Sequence, residues 1–499
     1  MRPRPPLSFV VPLLLAVVLA GSASGCAKNP VTGKRQLALI SQDQEVELGK
    51  QARAEAVAAL GLYPDEALQQ YVAGLGMELA KRSERPQLPW SFEVIDDASI
   101  NAFALPGGPV FVTRGLLTHM NSEAELVAVL GHEVGHITAR HAVSLISKQQ
   151  LAQVGLGVGS ILLPERLAGL ADVAGAGASL LFLRYGRDAE RQSDSLAWDY
   201  MLENGYDVRE MRDVFVTLGR ASESEGAGRL PQWLSTHPES AERVKAIDER
   251  LRKEPPPPPE RLKENREALL AHLEGVTFGA DPRQGVFRGN TFLHPALGIQ
   301  VSFPNGWQAL NQPQAVSAIS PKQDAAVQLG VVAGTPEDAA QKFFSQRGIQ
   351  RGDTQAGTLN ALPAVSAYFA AQTEEGVLAG LVTFIGHAGK TYQLIAYTGA
   401  QGLSAYDPAF RQTMGSFGEV KDPEVLRLQP AKLHIVTLPE ALTVEAANAR
   451  FPSTVDLKTV ALINGVEAGA TLPAGSRFKQ VTGGTPAQSQ VQPVSSAAP

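Results

Sequence analysis

The segment Gly131–His136 constrains this chain more than any other, because His132 and His136 stand on either side of Glu133 at a helical spacing. Four residues apart on a helix, the two imidazoles differ by about 40° around the axis and about 6 Å along it. Both can therefore reach one tetrahedral zinc ion. An apolar stretch that follows Ser122, with Glu125 three residues later, predicts a buried helix that starts with a capping box.

Glu133 lies to the side of the two imidazoles, where a carboxylate can take a proton from a metal-bound water whose pKa zinc lowers to about 7. A catalytic zinc also requires a third protein ligand and one open position. The candidate is Glu190, which shares a predicted helix face with Asp194. The spacing alone fits a solvated charged face as well, so the third ligand stays open at this point.

Two further histidines flank the motif. On a continuous helix, His141 would lie about 140° around the axis from His136, so it could not join the same metal without a break in the helix. We therefore predict a structural or surface role for His141. His119 precedes the predicted helix cap, and we predict that it is a packing or capping residue.

The overall composition limits the possible partners. The chain has 499 residues, 44% of them hydrophobic, and a formal net charge of -6. This length predicts two or three domains. The balance lacks the basic excess that nucleic acid binding requires, so we expect no nucleic acid partner.

The N-terminus has the layout of a secretory signal, with Arg2 and Arg4 before an apolar run over 9–20 and small residues after it. The run is too short for a comfortable membrane span, which needs roughly 20 apolar residues. Residues 23–26 then resemble a bacterial lipobox that ends at Cys26, the sole cysteine. The resemblance implies diacylation of Cys26 and attachment to the periplasmic face of the outer membrane, since the following Ala27 gives no acidic retention signal.

Several spaced motifs occur together in the first half of the chain. They are residues 101–108, the segment from His132 to His136, Glu190 with Asp194, and residues 235–238, which read Ser-Thr-His-Pro. In this order they resemble the HtpX and CAAX-prenyl-protease type of zinc metallopeptidase, in its soluble periplasmic, BepA-like branch. The resemblance covers about residues 29–252.

The resemblance implies one zinc ion per chain, with Glu190 as the third ligand beside the two histidines. It implies that Asp194 orients His132 or its neighbours. His237 would be a fourth ligand, a switch or an oxyanion stabiliser, and that choice stays open. Arg243 would be a structural or transition-state cation near the site.

The family resemblance also places a substrate-binding strand before the motif. Asn101, Ala102 and Phe103 would form the edge along which an extended peptide lies, by strand addition. No comparable cluster of candidate site residues stands out after residue 276.

We expect a multidomain protein with a mainly α, zincin-type α+β catalytic domain, followed by an α+β accessory domain and a small α/β module. The module at the end resembles a LysM peptidoglycan-binding module, and a small helper domain is the alternative. The expected segments are a signal peptide at 1–25, the metalloprotease domain at 27–252, a Pro-rich linker and helix at 253–275, the accessory domain at 276–425, the LysM-like module at 430–482 and a disordered tail at 483–499.

Two functions remain open. The first is a zinc-dependent endopeptidase at the bacterial cell envelope that hydrolyses misfolded or unassembled envelope proteins. It would be held to the membrane by its lipid anchor, with peptidoglycan as a further partner if the terminal module binds it. The second is a non-proteolytic chaperone or assembly lipoprotein with a structural metal site. The intact Glu133 favours the first, because a chaperone has no chemical need for a base beside the metal.

Overall fold

The computed structural model describes residues 26–155, 183–224, 233, 236–237, 240–312, 315–373 and 376–484. The predicted signal peptide and nearly all of the predicted tail lie outside these residues. The multidomain organisation is confirmed, because a helical N-terminal region is followed by a β-rich C-terminal region. Among the described residues, no helix combines the length and the apolar character needed to cross a membrane.

Helices dominate the N-terminal region. The first begins with a capping box, in which Ser41 and Gln44 each accept the other's backbone N–H. The second is capped by Asp65, whose side chain accepts from the Leu68 N–H. In chain order the helices are α1 (Gln42–Leu60), α2 (Glu66–Arg82), α3 (Arg114–His119), α4 (Glu123–Thr138), α5 (His141–Gly155), α6 (Arg187–Glu203), α7 (Glu210–Ser224), α8 (Ser240–Lys253) and α9 (Arg266–Leu273).

Five short strands accompany these helices in the described residues before 155. They are β1 (Cys26–Lys28), β2 (Arg35–Leu37), β3 (Ser91–Ile95), β4 (Ala102–Ala104) and β5 (Pro109–Thr113). Strands β3 and β5 run parallel, and β4 pairs antiparallel with β5 at the outside of this sheet. Gly107 and Gly108, which adopt positive φ values of 82° and 137°, form the turn between β4 and β5.

Strands and a few helices build the accessory region. Its elements are β6 (Thr277–Phe278), β7 (Val286–Arg288), β8 (Thr291–His294), β9 (Ile299–Ser302), β10 (Gln308–Gln312), β11 (Ala315–Ile319), β12 (Ala325–Val332), α10 (Pro336–Phe344), β13 (Ile349–Leu359), β14 (Leu362–Thr373), β15 (Gly376–His387), β16 (Lys390–Gly399), α11 (Leu403–Ser416), β17 (Gly418–Glu419) and α12 (Pro423–Leu426). Seven of the strands form an antiparallel sheet in the order β10-β11-β12-β16-β15-β14-β13. Apolar side chains of α10 and of α11 pack against this sheet in two separate clusters, so this region has a core of its own.

The last described part of the chain has the order two strands, two helices, two strands. Its elements are β18 (Ala431–Thr437), β19 (Leu442–Thr443), α13 (Val444–Arg450), α14 (Leu457–Ile463), β20 (Thr471–Leu472) and β21 (Arg477–Gly483). Strands β18 and β21 pair antiparallel, and β18 also pairs with β6. We call residues 431–483 the terminal module.

The terminal module packs against the N-terminal region. Leu433, Ile463 and Val481 belong to the same buried apolar cluster as Leu126 and Leu130 of α4. The guanidinium of Arg114, buried at the start of α3, donates to the carbonyl oxygens of Thr277 and Gly279 beside this module. The far end of the chain therefore contributes to the core that supports the histidine motif.

Candidate metal centre

Helix α4 carries the motif through the middle of the protein, and every one of its residues is buried. Its N-terminus starts at Ser122, whose side chain accepts from the Glu125 N–H at 3.1 Å. The predicted capping box is only half formed. The Glu125 carboxylate accepts instead from the Asn121 N–H, one residue before the cap.

Close packing against α6 brings the rest of the site to this helix. Gly131 and Gly135 lie on the α4 face that contacts α6. A Cβ at Gly131 would come within 3.2 Å of the Ala197 Cα, and one at Gly135 within 3.1 Å of the Ser193 Cα. The two glycines therefore let the two backbones approach closely enough for side chains of α6 to meet the histidines of α4.

Four side chains converge on one point. His132, His136, Glu190 and His237 each offer a ligand atom, and these atoms lie within 4.8 Å of one another. The two Nε2 atoms of the motif are 3.0 Å apart, and each is 3.5 Å from a Glu190 oxygen. Nδ1 of His237 lies 3.1 Å from both Glu190 oxygens.

The ion pair of Asp194 and Arg243 contacts His132 on the side away from the other donors. Nδ1 of His132 lies 2.9 Å from Oδ1 of Asp194, one helical turn beyond Glu190. Arg243 donates from Nε to the other Asp194 oxygen at 2.8 Å, and its guanidinium lies over the rings of Phe215 and Trp233 at 3.9 and 4.7 Å. Arg243 thus binds Asp194, and its Nη1 also lies 3.7 Å from a Glu190 oxygen.

Glu133 points to the same region from the side. Its Oε1 lies 3.6 Å from Nε2 of His237 and accepts from the indole N–H of Trp233 at 3.4 Å. The backbone N–H of Trp233 donates to the carbonyl of Ile100, which lies just before strand β4. Glu133 is 1% exposed and His237 is 2% exposed, so this conformation closes the site to solvent.

His141, predicted to be structural or at the surface, is buried and is not one of the four converging donors, and the helix is not continuous at this point. Helix α4 ends at Thr138, and the chain turns at Arg140, which has a φ of 59°, before α5 begins. His141 is therefore buried with its Nδ1 2.9 Å from Nδ1 of His136. Burial lowers the pKa of His141 to about 4. His119 is a buried packing residue, as predicted, with Nδ1 2.8 Å from the Gly115 carbonyl.

The electrostatics of the cluster suit a divalent cation. Glu133, Glu190 and Asp194 supply three negative charges around the donors, and Arg243 supplies one positive charge. Burial and Arg243 act to lower the pKa of His132, but Asp194 and Glu190 outweigh them and raise it to about 9. Burial would raise the pKa of Glu190, yet His237 and His132 hold it well below its usual range. Imidazole nitrogen and carboxylate oxygen are the ligands that zinc prefers.

The predicted substrate strand lies next to this cluster. Asn101 precedes β4, and Ala102 and Phe103 form its first two residues. All three are buried, with Phe103 stacked on Phe111 of β5 at 5.0 Å between ring centroids. In the described residues β4 pairs on one side only, with β5.

Two aromatic residues at the site were not predicted. Tyr185 stacks on His136 with 4.1 Å between centroids, and Trp233 lies edge-on to His132 at 5.8 Å. Tyr185 precedes the predicted site residue Glu190 by five positions, and Trp233 precedes His237 by four. Their closeness in sequence to predicted site residues is the signal that could have indicated them. The sequence pattern does not place either aromatic residue on an identifiable helix face.

A buried helix with two histidines and a glutamate in this spacing, together with a carboxylate from a second helix, defines a zinc metallopeptidase site. Residues 66–251 match the family model described as Peptidase family M48, so this part of the chain is an M48 peptidase domain.

Similar proteins agree with this assignment. The "Beta-barrel assembly-enhancing protease" of Yersinia pestis is 30% identical over 248 residues, which cover 46% of this chain and 50% of that protein. The protein of the same name from Escherichia coli (strain K12) is 28% identical, covering 46% and 49%. "Mitochondrial metalloendopeptidase OMA1" of Arabidopsis thaliana is 33% identical, covering 34% and 33%. The matched part of the chain thus spans half or less of the length of these relatives.

Proposed function

We propose that this protein is a zinc-dependent endopeptidase of the bacterial cell envelope that hydrolyses misfolded or unassembled envelope proteins. The observation that carries the proposal is the convergence of His132, His136 and Glu190 on one buried point, with Glu133 beside it.

In this proposal His132, His136 and Glu190 bind the metal, and Glu133 is the general base. When bound, zinc supplies the Lewis acidity that activates water and polarises a peptide carbonyl. Glu133 receives the proton at its carboxylate. The Trp233 N–H donates to Oε1 of this group and holds it toward the cluster.

Asp194 and Arg243 set the orientation of His132. A hydrogen bond from Nδ1–H of His132 to Asp194 leaves the lone pair of Nε2 for the metal. Arg243 fixes the Asp194 carboxylate through two donors and is itself held between two aromatic rings. We assign Arg243 a positioning role, because the hydrogen bonds of its Nε and Nη2 go to Asp194 and its Nη1 lies 3.7 Å from a Glu190 oxygen.

His237 is the fourth donor, and we propose that it closes the resting site. Its Nδ1 occupies a position among the other three donors, while its Nε2 faces Glu133 at 3.6 Å. A catalytic zinc needs one position for water and substrate. His237 would therefore have to move before a peptide binds along the edge formed by Asn101, Ala102 and Phe103.

The envelope location rests on the sequence and on the relatives. We propose that Cys26 is lipidated after removal of residues 1–25, which would hold the protein at the periplasmic face of the outer membrane. Two relatives are named for enhancing β-barrel assembly, and we extend that substrate class, envelope proteins that fail to assemble, to this chain.

We also propose that residues 430–482 form a LysM-like module that binds peptidoglycan. The two helices that lie between β18 and β21 along the chain, together with the antiparallel pairing of these two strands, support this proposal. Cell-wall binding would keep the peptidase domain near its substrates, and binding of the full-length protein to purified peptidoglycan sacculi tests it.

A non-proteolytic assembly factor is the second candidate. The observation in its favour is the closed site, in which the four donors and Glu133 are between 1 and 4% exposed. A site that never opened would leave the metal with a structural role only.

Zinc content and cleavage of unfolded casein separate the two functions. We expect the full-length protein to bind about one zinc, Glu133→Gln to retain the zinc without cleavage, and His237→Ala to cleave faster than wild type. If neither wild type nor His237→Ala cleaves while both hold zinc, the assembly factor is favoured. Absence of zinc from the wild type would refute the metal assignment.

A further inference from the structure

The break after the motif helix places a fifth side chain against the metal cluster. Arg140 adopts a left-handed conformation, which residues other than glycine rarely adopt. Two contacts hold it there. Its Nε donates to Glu45 at 2.9 Å, and its Nη2 donates to the Ile40 carbonyl at 3.0 Å. This turn separates α4 from α5 and places His141 against His136.

The His141 ring bridges two helices. Its Nδ1 is 2.9 Å from Nδ1 of His136 on α4, and its Nε2 is 3.1 Å from Oε1 of Gln192 on α6. The two histidine rings meet edge-on, at 73° and with 4.9 Å between centroids. His141 therefore uses both of its ring nitrogens in hydrogen bonds and offers neither to the metal.

Only one proton arrangement along this chain of contacts allows zinc to bind. One proton lies between the two Nδ1 atoms, because two bare nitrogens at this distance would repel. If His141 carried it, His136 would be protonated at Nε2, the atom that faces the other donors. If His136 carries it, Nε2 of His136 has a free lone pair, and Nε2–H of His141 donates to Oε1 of Gln192. The carbonyl oxygen of Gln192 selects the second arrangement.

We infer that His141, oriented by Gln192, is a positioning residue that fixes the Nδ1–H form of His136 and so prepares it to bind zinc. The inference rests on the proposed function, in which His136 is a zinc ligand. In this arrangement each of the two motif histidines donates its Nδ1–H to a fixed acceptor and keeps Nε2 for the metal. Asp194 accepts from His132 as His141 accepts from His136, although the second acceptor is a neutral ring rather than a carboxylate.

The test is the zinc dissociation constant of the full-length protein, measured by competition with a chromogenic chelator. We expect His141→Leu to weaken zinc binding by roughly 10- to 100-fold, the usual effect of losing such a partner. His141→Asn should stay within about threefold of wild type, because its Oδ1 can occupy the place of Nδ1 and accept from His136. A structural role for the ring alone would not produce this rescue.

Two controls keep the test informative if His141→Leu folds poorly. Gln192→Met, at a half-buried position, should weaken zinc binding in the same direction without removing the ring. His119→Leu deletes a buried histidine remote from the cluster and should leave the zinc affinity unchanged.

Several results would overturn the inference. Wild-type affinity in both His141→Leu and Gln192→Met refutes it, as does an Asn variant that is as weak as the Leu variant. These results leave the proposed function intact if the wild type binds zinc. A wild type without zinc refutes the proposed function, and the inference with it.

Discussion

The ammonium group of Lys479 donates to the carbonyl oxygen of Thr118 at 3.1 Å, across 361 residues of sequence. The same group also donates to the carbonyls of Met120 and Ile463, so all three of its protons are used inside the protein. Thr118 and Met120 lie directly before the helix that carries the histidine motif. Strand β21 of the terminal module is therefore fastened to the start of α4.

Replacing this lysine should loosen the whole N-terminal region. In Lys479→Met, three buried carbonyl oxygens lose their donor, and we expect the free energy of unfolding to fall by roughly 2 kcal/mol. Urea denaturation measures the change. The matched control is Lys432→Met, at an exposed position on the neighbouring strand β18, which should change stability little. Equal stability of the two variants would contradict the prediction.

Glu210 makes stability depend on pH. Burial raises its pKa to about 7, with further contributions from nearby acidic residues, and its carboxyl accepts from the Ser122 hydroxyl at the start of α4. Because the folded pKa exceeds the unfolded value, the protonated group stabilises the fold at low pH. That contribution is lost as the pH rises through about 7.

The expected result for Glu210→Gln is a thermal midpoint like that of wild type at pH 5 and above it at pH 8. Glu125, whose pKa burial raises to about 8, should leave part of the pH dependence in place. Glu242→Gln on α8, an exposed carboxyl, controls for the change in net charge. If Glu210→Gln and wild type lose stability in parallel, Glu210 is not responsible.

Gly135→Ala tests whether contact between α4 and α6 sets the metal geometry. The added Cβ would lie 3.1 Å from the Ser193 Cα and 3.3 Å from the Ser193 carbonyl oxygen, so α6 must shift by a few tenths of an ångström. Glu190 lies on α6 and would move with it. Alanine also favours a helix by roughly 1 kcal/mol over glycine. We therefore expect severalfold weaker zinc binding with little loss of stability, measured by chelator competition and by urea denaturation. Unchanged affinity would show that the helix pair adapts.

Removing the metal should destabilise the fold, since zinc binds the native state. At a free zinc concentration 100 times the dissociation constant, the linked stabilisation is about 2.7 kcal/mol. A chelator should therefore lower the thermal midpoint of wild type. His136→Ala should already have the lower midpoint and respond little to the chelator. A wild-type midpoint that ignores the chelator would argue against zinc binding.

Much of the local structure could be predicted from the sequence. The helix from Gln42 starts at the capping box of Ser41 and Gln44, and the helix from Pro336 starts at a capping box of Thr335 and Asp338. The spacing of His132 and His136 placed both on one face of a buried helix, and the structure confirms that placement. These features follow from contacts between residues three or four positions apart, so the sequence alone contains them.

Tertiary structure decided what lies around that helix. No periodicity indicates that Arg140 turns left-handed and brings His141 to His136, because Glu45, almost a hundred residues earlier, holds that turn. Likewise, only the packing of the terminal module shows that Lys479 binds the start of α4. Short-range spacing determined the chemistry of the motif. Its orientation, closure and support depend on contacts between distant parts of the chain, whose free energies no local pattern records.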